Sequence, residues 1–405
     1  MSTLRAIREK EERLAIGLMS GISADGIDAA LVNIRGSGEN VELDLAAFDT
    51  LSFSDTVRTR IQAVQGPGPV PLKEVVLLSS YLGELYAHAA SHVCRRASIN
   101  LMEVDFVGCH GQTLYHQPEK DALPGFEVNG TLQAGNPAIL AERTGLVVVS
   151  DFRSRDMAVG GQGGPLSAYL DYLLYNHRSR GRVALNIGGL ANVTAMGADA
   201  PFREITAFDT GPGNCLIDLA ISHFTKGKQA YDKDGLWAQQ GNVDEKLLAM
   251  MMQHPYLQKP PPKTADRDLF GRGFFNMVLK LAAGMRASDV VASITEYTVR
   301  SIVDGIRRFV PEEVRFEEII VSGGGAKNPV ITEGLGLRLP TVAIVSGDEY
   351  RITSRAKEAV LMAFLANETV MGLPGNVPSA TGAKKPAVLG SITMGIPLAP
   401  ENLEG

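Results

Sequence analysis

The sequence predicts an α/β protein with mixed sheets, arranged as two lobes. Three observations carry this. Two segments, Ala15-Ile-Gly-Leu-Met-Ser-Gly-Ile-Ser-Ala-Asp-Gly-Ile-Asp-Ala-Ala-Leu-Val32 and Ala184-Leu-Asn-Ile-Gly-Gly-Leu-Ala-Asn-Val-Thr-Ala195, each read apolar strand, small-residue turn, apolar strand. Elsewhere apolar strand runs alternate with amphipathic helices, the pattern of α/β layers. The 405 residues also exceed one ordinary core, so two domains are expected. Hairpins placed ahead of helices make the sheets mixed rather than all parallel. The signature recurs about 170 residues on, from residue 17 to residue 188, which suggests a duplication.

The elements follow in order. Residues 1–13 are charged, with no apolar run, and read as a short helix or tail rather than a secretory signal. Strands are predicted at 16–19 and 27–34, a polar turn at 33–40, a third strand at 41–51 and a helix at 57–65, stopped by Gly66-Pro-Gly-Pro69. Val75, Leu78, Leu82, Leu85, Ala89 and Val93 share one helix face. A buried strand at 104–109 ends in His110-Gly-Gln-Thr113; a helix at 137–144 and a strand at 146–150 lead into Asp151-Phe-Arg-Ser-Arg-Asp156. Gly160-Gly-Gln-Gly-Gly-Pro165 is a flexible connection before a helix at 166–175. After the second hairpin, a strand at 205–208 gives way to Asp209-Thr-Gly-Pro-Gly-Asn214, which turns into a helix. Lys259-Pro-Pro-Pro-Lys263 reads as an exposed extended loop, because Pro serves neither a helix interior nor a central strand. A helix at 291–309, strands at 319–321 and 342–345 and a long helix at 356–371, crossing back, complete the layers; the Pro- and Gly-rich stretch 375–405 reads as irregular.

Composition narrows the function. Apolar residues make up 45% and charged residues 21%, as in ordinary globular proteins. A net charge of −6 without a basic run argues against nucleic acid. No apolar stretch reaches the ~20 residues that span a membrane. Cys94, Cys109 and Cys215 have neither metal nor disulfide spacing, which fits a reducing cytoplasm. Glu84, His88 and His92 have helical i, i+4, i+8 spacing but lack a fourth ligand, so they read as a helix flank. Trp237 reads as packing rather than as a stacking platform. The oligomeric state stays open, with a homodimer as the commonest form.

Turns rich in Gly and Ser expose backbone N–H groups that an anion can approach. The stretch Gly21, Ile22, Ser23, Ala24, Asp25 and Gly26, and the pair Gly188 and Gly189, are therefore candidates to face the β- and γ-phosphates of a nucleotide; a plain hairpin turn is the alternative. Ile319-Ile-Val-Ser-Gly-Gly-Gly-Ala-Lys-Asn328 runs from strand through triple glycine into a helix, an arrangement suited to a nucleotide.

In this order, these segments resemble the phosphate and adenosine motifs of the actin-like ATPase and sugar-kinase superfamily. Within it, Met19-Ser-Gly-Ile-Ser-Ala-Asp-Gly-Ile-Asp28, His110-Gly-Gln-Thr113, Gly135-Asn-Pro137, Asp151-Phe-Arg153, Gly160-Gly-Gln-Gly163, Asn186-Ile-Gly-Gly189, Phe208-Asp-Thr-Gly-Pro-Gly-Asn214 and Tyr231-Asp-Lys-Asp-Gly235 resemble the anhydro-N-acetylmuramic acid kinases. The resemblance runs from about Gly17 to Leu389. Levoglucosan kinases carry similar motifs and also act on a 1,6-anhydro sugar. Two departures stand out. Ile22 replaces the family's usual Thr, and Lys263-Thr-Ala-Asp-Arg-Asp268 replaces Lys-Ser-Thr-Gly-Arg-Glu.

The resemblance implies a two-lobed actin-like ATPase (ribonuclease H-like) fold with an interlobe nucleotide cleft. Lobe I would be 14–152 plus 353–405, and lobe II 153–352. It implies a cytoplasmic kinase that uses ATP and Mg²⁺, opens the bridge of 1,6-anhydro-N-acetylmuramic acid with water and phosphorylates O6. A kinase for another anhydrosugar such as levoglucosan, and a nucleotide-binding regulator with weak turnover, are the alternatives. Asp209, at a strand end, is the expected general base; an N-cap is its other reading. Asp25 and Asp28 would hold the metal through water, or serve turn chemistry. Gly211, Gly323, Gly324 and Asn328 would line the nucleotide. Gln112 and Thr113 follow a strand end and are expected at the sugar. Arg155 would clamp the lactyl carboxylate or pair with Asp151 or Asp156. Glu358 would touch the sugar or simply suit a helix's first turn.

Overall fold

The structure is a computed structural model that describes residues 2–21, 24–66, 68–265 and 269–396. Contacts divide the chain into two units: Met1–Leu170 with Arg351–Pro378 and Ala383–Gly405, and Asp171–Tyr350 with Ser379–Gly382. The boundary falls after Leu170, whereas residue 152 was expected from the sequence. The reason is local wiring: buried Asp156 accepts hydrogen bonds from Gly163 N–H and Asn376 Nδ2, both at 2.8 Å, and ties 153–170 to the first unit.

Among the described residues, the first unit holds a seven-stranded mixed sheet. Its strands are β1 (Glu12–Ser20), β2 (Gly26–Arg35), β3 (Glu42–Ser52), β4 (Phe106–Leu123), β5 (Phe126–Ala134) and β6 (Val147–Ser150). The seventh comes from the C-terminal stretch, Ser391–Thr393, antiparallel to β6. β1 runs antiparallel to β2 and parallel to β4, and β4 parallel to β6. β1, β4 and β6 carry Ile16, Leu18, Val107 and Val148 into the core, where the Leu72–Ala97 helix adds Leu78, Leu82, Tyr86, Ala89 and Val93.

The Lys357–Met371 helix lies against β1, β2 and β4 and is buried along nearly its whole length. Two glycines allow this. Gly17 and Gly108 are cross-strand partners. A Cβ on Gly17 would sit 1.8 Å from the Ala359 carbonyl oxygen, and one on Gly108 would sit 2.0 Å from that of Met362. Helix backbone thus rests on strand backbone. The far end is locked by buried polar groups: Arg13 Nε donates to Asn367 Oδ1 at 2.8 Å, and Gly38 N–H donates to Glu368 Oε2 at 3.0 Å.

The second unit holds a five-stranded sheet among the described residues, built from β7 (Arg182–Ile187), β8 (Leu190–Met196), β9 (Thr206–Pro212), β10 (Glu318–Ser322) and β11 (Ala343–Ser346) in the order β11-β10-β7-β8-β9. The first two joins are parallel and the last two antiparallel. The Ala287–Phe309 and Cys215–Phe224 helices cover it with Val291, Ile294, Ile302, Leu216 and Ile221.

Several expectations are corrected. β4 does not stop at residue 109 but continues to Leu123 as a ribbon with β5, paired from Gln112↔Ala134 to Leu123↔Phe126. β9 runs through Asp209 to Pro212 rather than ending at 208. Residues 152–158 form a helix. The C-terminal stretch contributes a strand, with Gly390 at φ +79 letting it pass Val149. Lys263 is 3% exposed, not in an open loop. Among the described residues, no helix is long and apolar enough to cross a membrane.

Candidate functional site

In the first unit, the turn between β1 and β2 is held by a fully buried glutamine. Gln112 Nε2 donates to the Gly21 carbonyl at 3.0 Å, and its Oε1 accepts from Ser20 Oγ at 2.5 Å. Both ends of that amide therefore brace the turn. Ala24 N–H closes back on Gly21 O at 3.1 Å, with Ala24 at φ 52, a left-handed conformation costly for a residue with a Cβ. Gly26 is required by packing: a Cβ would meet Leu51 O at 2.7 Å. Ile22 and Ser23 lie outside the described residues. Thr113 is half-buried, its carbonyl accepting from Gln65 Nε2 at 2.7 Å.

Asp25, Asp28 and Glu358 share one electrostatic field. Asp28 accepts from Thr50 Oγ1, its cross-strand partner, at 2.6 Å. Burial pushes its carboxyl up, the Thr50 hydroxyl opposes this, and Asp25 adds to it. Burial likewise raises Glu358, in the first turn of the Lys357–Met371 helix; Lys357 and Arg153 oppose the rise, and Asp28 and Asp25 add to it.

Arg153 is the functional candidate that residue-by-residue reading missed. Its Nε donates to His110 Nε2 at 3.0 Å, and its Nη1 to the Gly163 carbonyl at 2.7 Å. His110 Nε2 therefore accepts, leaving Nδ1–H to donate to Gly111 O at 2.8 Å. Burial, then Arg153, pull His110 down to about 3; the same causes pull His116 down to about 4. Two neutral imidazoles thus flank a guanidinium. The available signal was its place in Asp151-Phe-Arg153. Arg155, two residues on, is exposed in the last turn of the same helix. A cavity of about 220 Å³ opens nearby, lined by His110, Thr131, Gln133, Asp151 and Ser154.

In the second unit, the Gly188–Gly189 turn packs on the start of the Cys215–Phe224 helix. Gly213 N–H donates to Gly189 O at 2.9 Å, and Asn214 N–H to Gly188 O at 2.8 Å. A Cβ on Gly213 would lie 2.3 Å from Gly188 O, while one on Gly189 would meet nothing within 4 Å. Gly188 N–H is engaged by Leu190 O at 3.0 Å, so the open side of this turn is at Gly189. Gly323, at φ +83, lets β10 pass the end of β7, where a Cβ would strike Ile187 O at 2.6 Å. Gly324 follows in the turn, and Asn328 caps the Pro329–Arg338 helix, its Oδ1 accepting from Val330 N–H at 3.1 Å. Gly211 takes φ +152 beside Leu257 and Ser301.

Asp209 is 6% exposed and tied at three points. Its N–H donates to Lys263 O at 3.1 Å, its carbonyl accepts from Tyr256 Oη at 3.0 Å, and its Oδ2 accepts from Ala265 N–H at 2.8 Å. The helix beyond is preceded by Asn214 in the cap position, so Asp209 is not its N-cap. Asp266, Arg267 and Asp268 lie outside the described residues.

The remaining candidates have structural partners. Glu84 pairs with Arg143 at 2.8 Å and His92 with Asp49 at 2.9 Å. Among the described residues, no group of three or more acidic, His or Cys side chains could hold a metal directly. Trp237 packs on the core, its Nε1 donating to Gln229 Oε1 at 3.1 Å.

Comparison with known proteins sets these units in context. The family model described as anhydro-N-acetylmuramic acid kinase matches residues 13–395. A protein of that name from Caldanaerobacter subterraneus subsp. tengcongensis is 39% identical over 396 residues, covering 97% of this chain and 100% of the relative. Another from Bacillus thuringiensis subsp. konkukian is 40% identical over 380 residues, covering 93% and 98%. Among solved structures, component A of the (R)-2-hydroxyglutaryl-CoA dehydratase of Acidaminococcus fermentans overlays with a TM-score of 0.43 at 12% identity, covering 88% of this chain and 99% of that one.

Proposed function

The chain belongs to the anhydro-N-acetylmuramic acid kinase family, and from that premise we propose that it uses ATP to open and 6-phosphorylate 1,6-anhydro-N-acetylmuramic acid. Water adds at C1, the C1–O6 bond breaks, and O6 takes the γ-phosphoryl group. The products are N-acetylmuramic acid 6-phosphate and ADP. Asp209 accepts the proton of the attacking water, a role typically contributing ~10²–10⁴-fold in rate. One observation supports this above the rest: a buried carboxylate within β9, fixed by the Ala265 backbone N–H and not used as a helix cap.

The sugar is assigned to Thr113, Glu358 and the exposed Arg155, whose planar fork suits the lactyl carboxylate. Gln112 contributes by holding the first phosphate turn. In the first unit the 21–26 turn is assigned to phosphate; in the second, Gly189 is assigned to phosphate and Gly211, Gly323, Gly324 and Asn328 to the adenosine. Arg153 and Lys357 supply positive charge.

Magnesium fits Asp25 and Asp28. Their carboxylates, with that of Glu358, concentrate negative charge, and a hydrated Mg²⁺ needs just one or two carboxylates beside phosphate oxygens. When bound, it would neutralise phosphate charge during transfer. The three free cysteines suit a reducing cytoplasm.

The test is ADP release, coupled to a reporter, with a panel of anhydrosugars. Turnover on the muramic sugar supports the proposal. Turnover on levoglucosan alone refutes the substrate.

A further inference from the structure

We propose that Lys263 is a positioning residue for Asp209: its caged side chain locks the 256–265 segment whose groups orient the Asp209 carboxylate. The inference rests on the proposed role of Asp209 as general base.

Three distances define the cage. Lys263 Nζ lies 4.5 Å from the ring centre of Phe309, 4.8 Å from Tyr256 and 5.7 Å from Phe208. All are within the range where a ring face attracts a cation. Nζ also points at the Tyr256 carbonyl, 3.5 Å away. The cage walls come from three elements: β9, the Ala287–Phe309 helix and the short Pro255–Gln258 helix.

The same segment supplies three ties on Asp209: Tyr256 Oη to its carbonyl, Lys263 O from its N–H, and Ala265 N–H to Oδ2. Lys263 sits between the first and last of these, and Phe208 directly precedes Asp209. Anchoring its ammonium therefore sets where Ala265 N–H falls, and so which way the carboxylate faces.

An apolar residue would fill this site without the penalty of a buried charge, since removing an ammonium from water is costly. The charge has a use here because Asp209 lies within its field. Burial draws Lys263 down to about 8; Asp209 and Asp304 pull it back up, and Arg308 pushes it further down. The cage is charged at neutral pH and loses its charge on the alkaline side. Tyr256, the remaining titratable wall, offers its ring and its carbonyl.

The experiment compares wild type, Lys263→Met and Lys263→Arg for kcat and KM across pH 6 to 9, with melting curves on each. Lys263→Met should lower kcat about tenfold or more and leave KM for ATP within about twofold. Its acid limb should move to higher pH, because a cation near the base is gone. Wild type should show an alkaline limb near pH 8 that is absent in Lys263→Met and moved upward in Lys263→Arg, whose guanidinium stays charged. In an Asp209→Asn background, Lys263→Met should add no further loss. A wild-type kcat and pH profile in Lys263→Met, or an equal loss with and without Asp209, would overturn the inference. If Lys263→Met does not fold, the limb in wild type against Lys263→Arg decides: no difference refutes it. An active Asp209→Asn enzyme refutes the base assignment instead, so the two failures are distinct.

Discussion

Gly17→Ala is the sharpest structural test, because it adds one carbon where the backbone of a helix touches that of a strand. The new Cβ would lie 1.8 Å from Ala359 O and 2.8 Å from both Ala359 C and Ala363 N. Ordinary Cβ contacts begin at 3.4 Å, so relieving the 1.8 Å contact requires the Lys357–Met371 helix to retreat by about 1.6 Å. Overpacking of this kind costs about 1–3 kcal/mol. The retreat also carries Glu358, one residue from Ala359, away from Asp28 and Asp25. A misplacement of about 1 Å at a binding group can cost ~10²-fold in rate. Urea unfolding gives the stability loss, and kcat/KM on the sugar gives the second effect. Gly189→Ala is the matched control, since its Cβ meets nothing within 4 Å and stability should change little. A Gly17→Ala protein with wild-type stability and turnover would refute the claim that this close approach seats Glu358.

Three further outcomes are expected. Asp209→Asn should fold and bind ATP but lose at least ~10²-fold in turnover, measured by ADP release, since a neutral amide cannot take a proton; wild-type turnover would remove Asp209 as base. Arg155→Ala should lose about tenfold to a hundredfold in kcat/KM on the muramic sugar and little on levoglucosan, with partial recovery in Arg155→Lys; equal losses on both would deny the carboxylate clamp. His110 is held neutral down to about 3 against an ordinary 6.5, so the unfolded chain binds a proton that the folded one does not as pH falls through that window. Its contribution is complete above pH 6.5 and is lost at up to about 1.4 kcal/mol per pH unit below it, so urea midpoints of His110→Asn should fall less steeply than wild type between pH 6.5 and 4.

Much of the fold was legible because periodicity and glycine placement dictate it. The two hairpins, the apolar face of the Leu72–Ala97 helix and the returning helix follow from patterns that survive any tertiary context. The β4–β5 ribbon did not, because Pro118 and Gly130 interrupt its alternation and its register shifts between Gln117 and Asp121. Lys263 was misplaced for a similar reason. Three prolines signal an extended chain but not what covers it, and the rings that do come from residues 208, 256 and 309. At the site, Asp209 was visible as a carboxylate beside a predicted strand, although β9 runs on through it to Pro212. Arg153 was not, because its value lies in a bond to His110 across 43 residues of sequence.

The central claim is that ring opening by water and phosphoryl transfer to O6 are one coupled reaction. Running the enzyme with ATP and 1,6-anhydro-N-acetylmuramic acid in water labelled with heavy oxygen tests this directly by mass spectrometry. The account predicts one labelled oxygen, at C1 of the sugar phosphate, and none in its phosphoryl group, with label and phosphate appearing together. Label in released inorganic phosphate, or a phosphorylated sugar whose bridge is intact, would contradict it.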